Sequence, residues 1–296
     1  MEPLSGVFCA LWIPTDSRGE VIWSALEKHL EWLLASGVHG VMALGSTGEF
    51  PHLSLAQRKA VLEKSFQLCA RRRLPVIANI SDVQHRTVIE LGQYARSLGA
   101  TVAAVLPPWF YPVHREDLAE FFIQVARKTE LPLLLYNYPE VTGKTIDLET
   151  VEQVARTVPV AAFKQSGADF EYHHPLLQLA AKLKFSLLTG ADTRFAEALR
   201  LGCTGTVSGL ANAVPDVLSR IYEDSRRGVA SVKQTEFVAQ LAREIAPLPF
   251  PLNVKATITA RGFETGEAKN PVSKKTQLAY EAAVERIREL FTTGIP

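Results

Sequence analysis

The chain is 296 residues long, 47% hydrophobic and 21% charged, with a net charge of +1. This is enough chain for a large core in one big domain or two small ones, and so balanced a charge gives no electrostatic reason to expect nucleic acid or an anionic membrane as partner. No stretch approaches the roughly 18 consecutive apolar residues of a membrane span, GVFCALWIP reads poorly as a signal peptide, and Cys9, Cys69 and Cys203 lack zinc-site or disulfide spacing. Packing thiols in a reducing cytoplasm, and partners that are small molecules or copies of the chain itself, are therefore expected.

In chain order, short β-rich apolar runs occur at GVFCALWI (6–13), VHGVMAL (38–44), LPVIANI (74–80), TVAAVLP (101–107), LPLLLYNY (131–138), PVAAFK (159–164), FSLLTG (185–190) and TGTVSG (204–209). Amphipathic stretches of helical length separate most of them, among them 24–36, 54–72, 85–100, 115–130 and 147–158. Ser54 and Asp147 are candidate N-caps, with Gln57 and Thr150 three residues on falling short of a full capping box. Because the runs are continuously apolar, they predict parallel strands buried on both faces. Strand then helix, repeated eight times, predicts a (β/α)8 TIM barrel over residues 1–225. A doubly wound sheet is the alternative, disfavoured by the missing GxGxxG turn. Residues 226–296 carry helical patterns and no strand, and predict a C-terminal helical extension packed on the barrel.

In such barrels the C-terminal strand ends surround the active site. The polar residues that end these runs are Ser46 and Thr47 in LGSTGEF, Tyr136 in LYNYPEVTG, Lys164 in FKQSG, Asp192 in TGAD and Ser208 in TVSG. The set offers an amine, a phenol and hydroxyls, but neither a metal-binding cluster nor the histidine of a serine triad. A lysine partly desolvated on a barrel strand loses preference for its charged form and becomes a nucleophile toward a carbonyl, forming a Schiff base. Tyr136 would relay protons, and the hydroxyls and amides of Ser46 and Thr47 would hold a carboxylate. Each residue also has a plain reading: a snorkelling lysine, a core tyrosine, a turn and helix cap. Their shared location at one end of separate strands favours the chemical reading. TGKT lacks the upstream glycine of a phosphate loop, Tyr138 standing in its place, and the adjacent His173 and His174 are expected to be solvated surface residues.

GSTGEF, YNYPEVTG, FKQSGAD and GCTGTVSGLAN together resemble the dihydrodipicolinate synthase/N-acetylneuraminate lyase family of pyruvate-dependent class I aldolases, over essentially the whole chain. The resemblance implies that Lys164 forms the Schiff base with pyruvate or a 2-oxo acid, that Tyr136 shuttles protons with Thr47 as a further catalytic residue, and that Ser46 and Thr47 contact the pyruvate carboxylate. It implies that a Val207 carbonyl faces the same pocket and, by similarity to lyases of the sialic acid type, that Asp192 meets sugar hydroxyls; Ser208, at the end of its strand, is a further expected substrate contact. It also implies a homotetramer built as a dimer of dimers, and no metal or organic cofactor. Two departures bear on the second substrate. Val141 stands where synthases place a carboxylate-binding arginine in YNxPxRTG, and Trp109 of PPWFYP stands at a tyrosine position, with Tyr111 as a substitute. The pattern therefore points to an aldolase or dehydratase acting on a 2-keto-3-deoxy sugar acid. The alternatives are dihydrodipicolinate synthase, N-acetylneuraminate lyase-like activity, and a barrel that only senses a 2-oxo acid.

Overall fold

Each of the eight apolar runs contains one short strand, and in the computed structural model, which describes residues 3–296, these strands close into a barrel. They are β1 (Gly6–Ala10), β2 (Gly40–Ala43), β3 (Val76–Asn79), β4 (Ala103–Val105), β5 (Leu133–Asn137), β6 (Val160–Gln165), β7 (Ser186–Thr189) and β8 (Gly205–Ser208). All pairings are parallel, each strand with the next and β8 with β1. Their side chains are almost entirely buried, as strands covered on both faces require. At the closing seam a Cβ on Gly205 would run into the backbone of Gly6, so this register demands glycine there.

The outer layer consists of α1 (Trp23–Ala35), α2 (Leu55–Ala70), α3 (His85–Ser97), α4 (Arg115–Thr129), the short α5 (Pro139–Thr142), α6 (Leu148–Thr157), α7 (His173–Leu183), α8 (Phe195–Leu201) and α9 (Pro215–Arg226). Two expectations change here. Ser54 and Gln57 do close a full capping box on α2: the Ser54 hydroxyl accepts from the Gln57 amide at 3.2 Å, and the Gln57 carbonyl oxygen accepts from the Ser54 amide at 2.9 Å. The other is His173, which is buried rather than solvated, because Phe170–Tyr172 turn it inward before α7 begins. Its ring nitrogens lie 2.8 Å from the Phe170 carbonyl and 3.1 Å from Thr189 Oγ1, and burial pushes its pKa down. Asp147 caps α6 as expected, accepting from the Thr150 amide at 2.7 Å.

Beyond α9 the chain adds α10 (Val232–Ile245), α11 (Leu252–Ala260) and α12 (Lys274–Thr292). α10 packs on α9 and on the turn after β7, while α11 packs on the turn after β8. Both turns follow the C-terminal ends of strands, so these helices reach the barrel mouth and not its opposite end. Among the described residues no helix is long and apolar enough to cross a membrane. The three cysteines are buried thiols, and burial pushes those of Cys69 and Cys203 up to about 12.

Candidate active site

Lys164 enters the barrel by way of an irregularity in strand pairing. Leu133 pairs with Val160, but Leu134 pairs with Ala162, so Ala161 is an extra residue on β6. Without that skip Tyr136 would sit opposite Phe163. With it, Tyr136 pairs with Lys164 and both side chains point into the barrel on the same pleat. The ammonium nitrogen lies 4.0 Å from the centre of the Tyr136 ring. Lys164 is only 4% exposed, and burial pulls its pKa down to about 7 against the opposing attraction of Asp192. A large fraction of the amine is therefore neutral and nucleophilic near neutral pH. At the next pair along the strands, the Asn137 side-chain amide donates to the Gln165 side-chain oxygen at 2.8 Å and ties the two strand ends together.

Tyr136 is buried as well, which pushes its hydroxyl up to about 12 even though hydrogen bonds to Ser46 and Ser166 pull the other way. It therefore keeps its proton throughout the neutral range and can pass it only by exchange along a hydrogen bond. Its hydroxyl donates to Ser46 Oγ at 3.3 Å. The position of Ser46 depends on Leu44, which follows β2 in the left-handed region at φ 62°. Asn79 holds that bend, donating to the Leu44 carbonyl at 2.6 Å. The next residues form a 3-10 turn over Ser46–Gly48 in which the two hydroxyls diverge: Thr47 lines the cavity around Lys164, whereas Ser46 meets Tyr136 and lines a neighbouring cavity. Glu49 closes the turn in a buried ion pair with Lys269 at 3.1 Å, tying it to the segment before α12.

On the far side of the cavity stands Asp192. It does not cap its own short helix; one carboxylate oxygen accepts from the Leu210 amide at 3.2 Å, while Oδ1 is buried without a hydrogen-bond partner among the described residues. Burial raises its pKa, opposed by Ser208, the Leu210 amide and the charge of Lys164. Val207 lines the cavity. Ser208, expected at the substrate, instead has its hydroxyl engaged: it accepts from the Ala211 amide at 2.9 Å, is fully buried outside the cavity lining, and favours the charged form of Asp192. It supports the carboxylate from behind.

The cavity that joins Lys164, Tyr136, Thr47, Asp192 and Val207 measures about 230 Å³. Part of its wall was not expected from sequence: Ser166 follows the lysine, and Ile245, Phe250, Asn253 and Val254 come from the C-terminal helices and the loop between them. The Pro-rich 247–251 stretch marks a loop, but nothing in the pattern points it at the barrel mouth. Among the described residues no group of three or more His, Cys, Asp or Glu side chains could hold a metal ion.

Against known proteins, the dihydrodipicolinate synthetase family matches residues 3–290. The 4-hydroxy-tetrahydrodipicolinate synthase of Staphylococcus carnosus is 31% identical over 267 residues, 90% of each chain. A prophage protein of the dihydrodipicolinic acid synthase family from E. coli K12, solved with pyruvate, has the same fold at a TM-score of 0.89 and 24% identity, over 97% of this chain and 99% of that one. The chloride-inhibited dihydrodipicolinate synthase of Acinetobacter baumannii, also solved with pyruvate, superposes at a TM-score of 0.86 and 26% identity, over 96% and 99% of the two chains.

Proposed function

The chain belongs to the dihydrodipicolinate synthetase family and is a lyase of its pyruvate-dependent aldolase kind, and from that premise we propose that it joins pyruvate to an aldehyde, or releases it from the resulting 4-hydroxy-2-oxo acid, through an imine on Lys164. The observation that carries this reading is the buried Lys164 amine, pulled to about 7 and seated over Tyr136 in a cavity that also holds Thr47. In the cleavage direction the neutral amine attacks the C2 carbonyl and loses water to give an iminium. Tyr136, its proton handed toward Ser46, takes the proton of the C4 hydroxyl. The C3–C4 bond breaks, its electrons pass into the iminium to leave an enamine, and the aldehyde departs. Protonation at C3 and hydrolysis return pyruvate and the free amine. The Thr47 hydroxyl and the amides that open the 3-10 turn suit the carboxylate. A dehydratase would use the same iminium to expel a hydroxyl.

The strand-end motifs favour a 2-keto-3-deoxy acid as the substrate class, with Asp192 in the wall of the Lys164 cavity. Condensation with aspartate semialdehyde is the second reading, supported by the name of the Staphylococcus carnosus relative. It is weakened because, among the described residues, no Arg or Lys other than Lys164 lines either cavity at the mouth. The resemblance also supports a cytoplasmic homotetramer with no metal or organic cofactor.

Enamine formation is tested by exchange of the pyruvate methyl protons in D2O, followed by NMR. Because only the neutral amine attacks, the exchange rate is expected to rise about tenfold per pH unit below pH 7 and to level off above it, following the lowered Lys164 pKa. Absence of exchange, or a rate flat across that range, contradicts the proposal.

A further inference from the structure

Beside the Lys164 cavity lies a second one of about 200 Å³, and we infer that it receives an aryl group on the aldehyde partner of pyruvate. The inference rests on the imine chemistry proposed above and specifies its second substrate. The two cavities share Phe250 as a wall and meet where Tyr136 donates to Ser46, the point at which the aldehyde oxygen must be protonated. An aldehyde carbon held near the enamine thus directs its side group into the second cavity.

The apolar part of its lining is formed by Phe50, Leu106, Trp109, Val141, Phe250 and Pro251. Phe50 and Trp109 meet edge to face with ring centres 5.8 Å apart, and both rings line the cavity. Val141 and Phe250 are 44% and 39% exposed, apolar surface at a cavity mouth that a ring would cover. An apolar cavity of about 150 Å³ holds benzene, so a phenyl ring fits this one.

The polar groups on its rim are already engaged. Ser46 is bonded to Tyr136, Glu49 to Lys269, His52 Nε2 lies 3.2 Å from the Asn270 amide nitrogen, and Thr142 donates to a neighbouring backbone carbonyl. A polyhydroxylated chain entering here would give up water for few new partners. A second carboxylate would meet Glu49 and no arginine or lysine lining the cavity. In the synthetic direction the enamine carbon attacks the aldehyde carbon, the C3–C4 bond forms, and Tyr136 protonates the aldehyde oxygen. Water then releases the aryl 4-hydroxy-2-oxo acid and restores the free amine.

The test has two arms on the full-length protein. Exchange of pyruvate protons in D2O, without any aldehyde, reports whether the imine chemistry operates. Pyruvate consumption is then measured with benzaldehyde, glyceraldehyde and aspartate semialdehyde, for the wild type and for Val141→Arg and Trp109→Ala. The expected result is a kcat/KM for benzaldehyde at least about tenfold above the other two. Val141→Arg is expected to lower it and to raise turnover of aspartate semialdehyde, and Trp109→Ala to lower benzaldehyde selectively. Exchange without a preference for benzaldehyde, or with both variants slowing all three aldehydes equally, overturns the inference while leaving the imine chemistry standing. Absence of exchange overturns both.

Discussion

Lys164→Met is expected to give a protein that forms no imine and yet is more stable than the wild type below pH 7. Burial lowers the lysine pKa from its ordinary 10.5 to about 7, so the folded chain resists holding a proton that the unfolded chain binds readily. Between those two values the unfolded state carries more protons, and wild-type stability therefore rises with pH across this window. Below pH 7 both states are protonated, and the full cost of the buried charge is present. At about 1.4 kcal/mol per pH unit, that cost is at most about 5 kcal/mol. Methionine matches the length of the side chain without the charge. Asp192 loses the cation that opposes its burial, so its pKa is pushed further up. Urea unfolding at about pH 6 and about pH 9 checks the account: the advantage of the variant should shrink by roughly 3 kcal/mol between the two. A variant less stable at the lower pH, or an advantage unchanged by pH, contradicts it.

Tyr136→Phe separates imine formation from carbon–carbon chemistry. The phenyl ring still supports the ammonium nitrogen at 4.0 Å, so pyruvate should still be captured. What disappears is the hydroxyl that donates to Ser46, and with it the relay that protonates or deprotonates the C4 oxygen. Loss of positioned acid–base catalysis lowers kcat by about 10²- to 10⁴-fold. Because the Tyr136 hydroxyl is pushed up to about 12, removing it should leave the Lys164-controlled rise in exchange near pH 7 in place. Steady-state aldol kinetics beside pyruvate exchange give both readouts. Near-normal aldol turnover, or loss of pyruvate capture, would show that Tyr136 does not play this part.

The barrel is legible in the sequence because buried parallel strands need unbroken apolar runs, and eight of them recur between amphipathic stretches. Lys164 is legible for the same reason, as the charged residue that ends such a run. Tyr136 is legible as another strand end, but its direct pairing with Lys164 is not, since it depends on the extra residue Ala161, and a skip in pairing leaves no mark in composition or periodicity. The divergence of Ser46 from Thr47 depends on a left-handed Leu44, a conformation that nothing about leucine predicts and that Asn79 enforces from another strand. His173 is buried because of a turn three residues long that no helical period reports. Asp192 and Ser208 share one arrangement, in which the serine faces the aspartate and the aspartate faces the lysine. The Phe250 and Asn253 walls come from a segment about 90 residues beyond the lysine, a contact that only the packing of α10 and α11 creates.

The claim on which the rest depends is that Lys164 bonds covalently to a 2-oxo acid. Incubation with pyruvate, reduction with borohydride and peptide mass spectrometry test it directly. A stable adduct confined to the peptide carrying Lys164, absent from Lys164→Met, is the predicted result. No adduct with pyruvate or any 2-keto-3-deoxy acid, or an adduct on a different lysine, would contradict it.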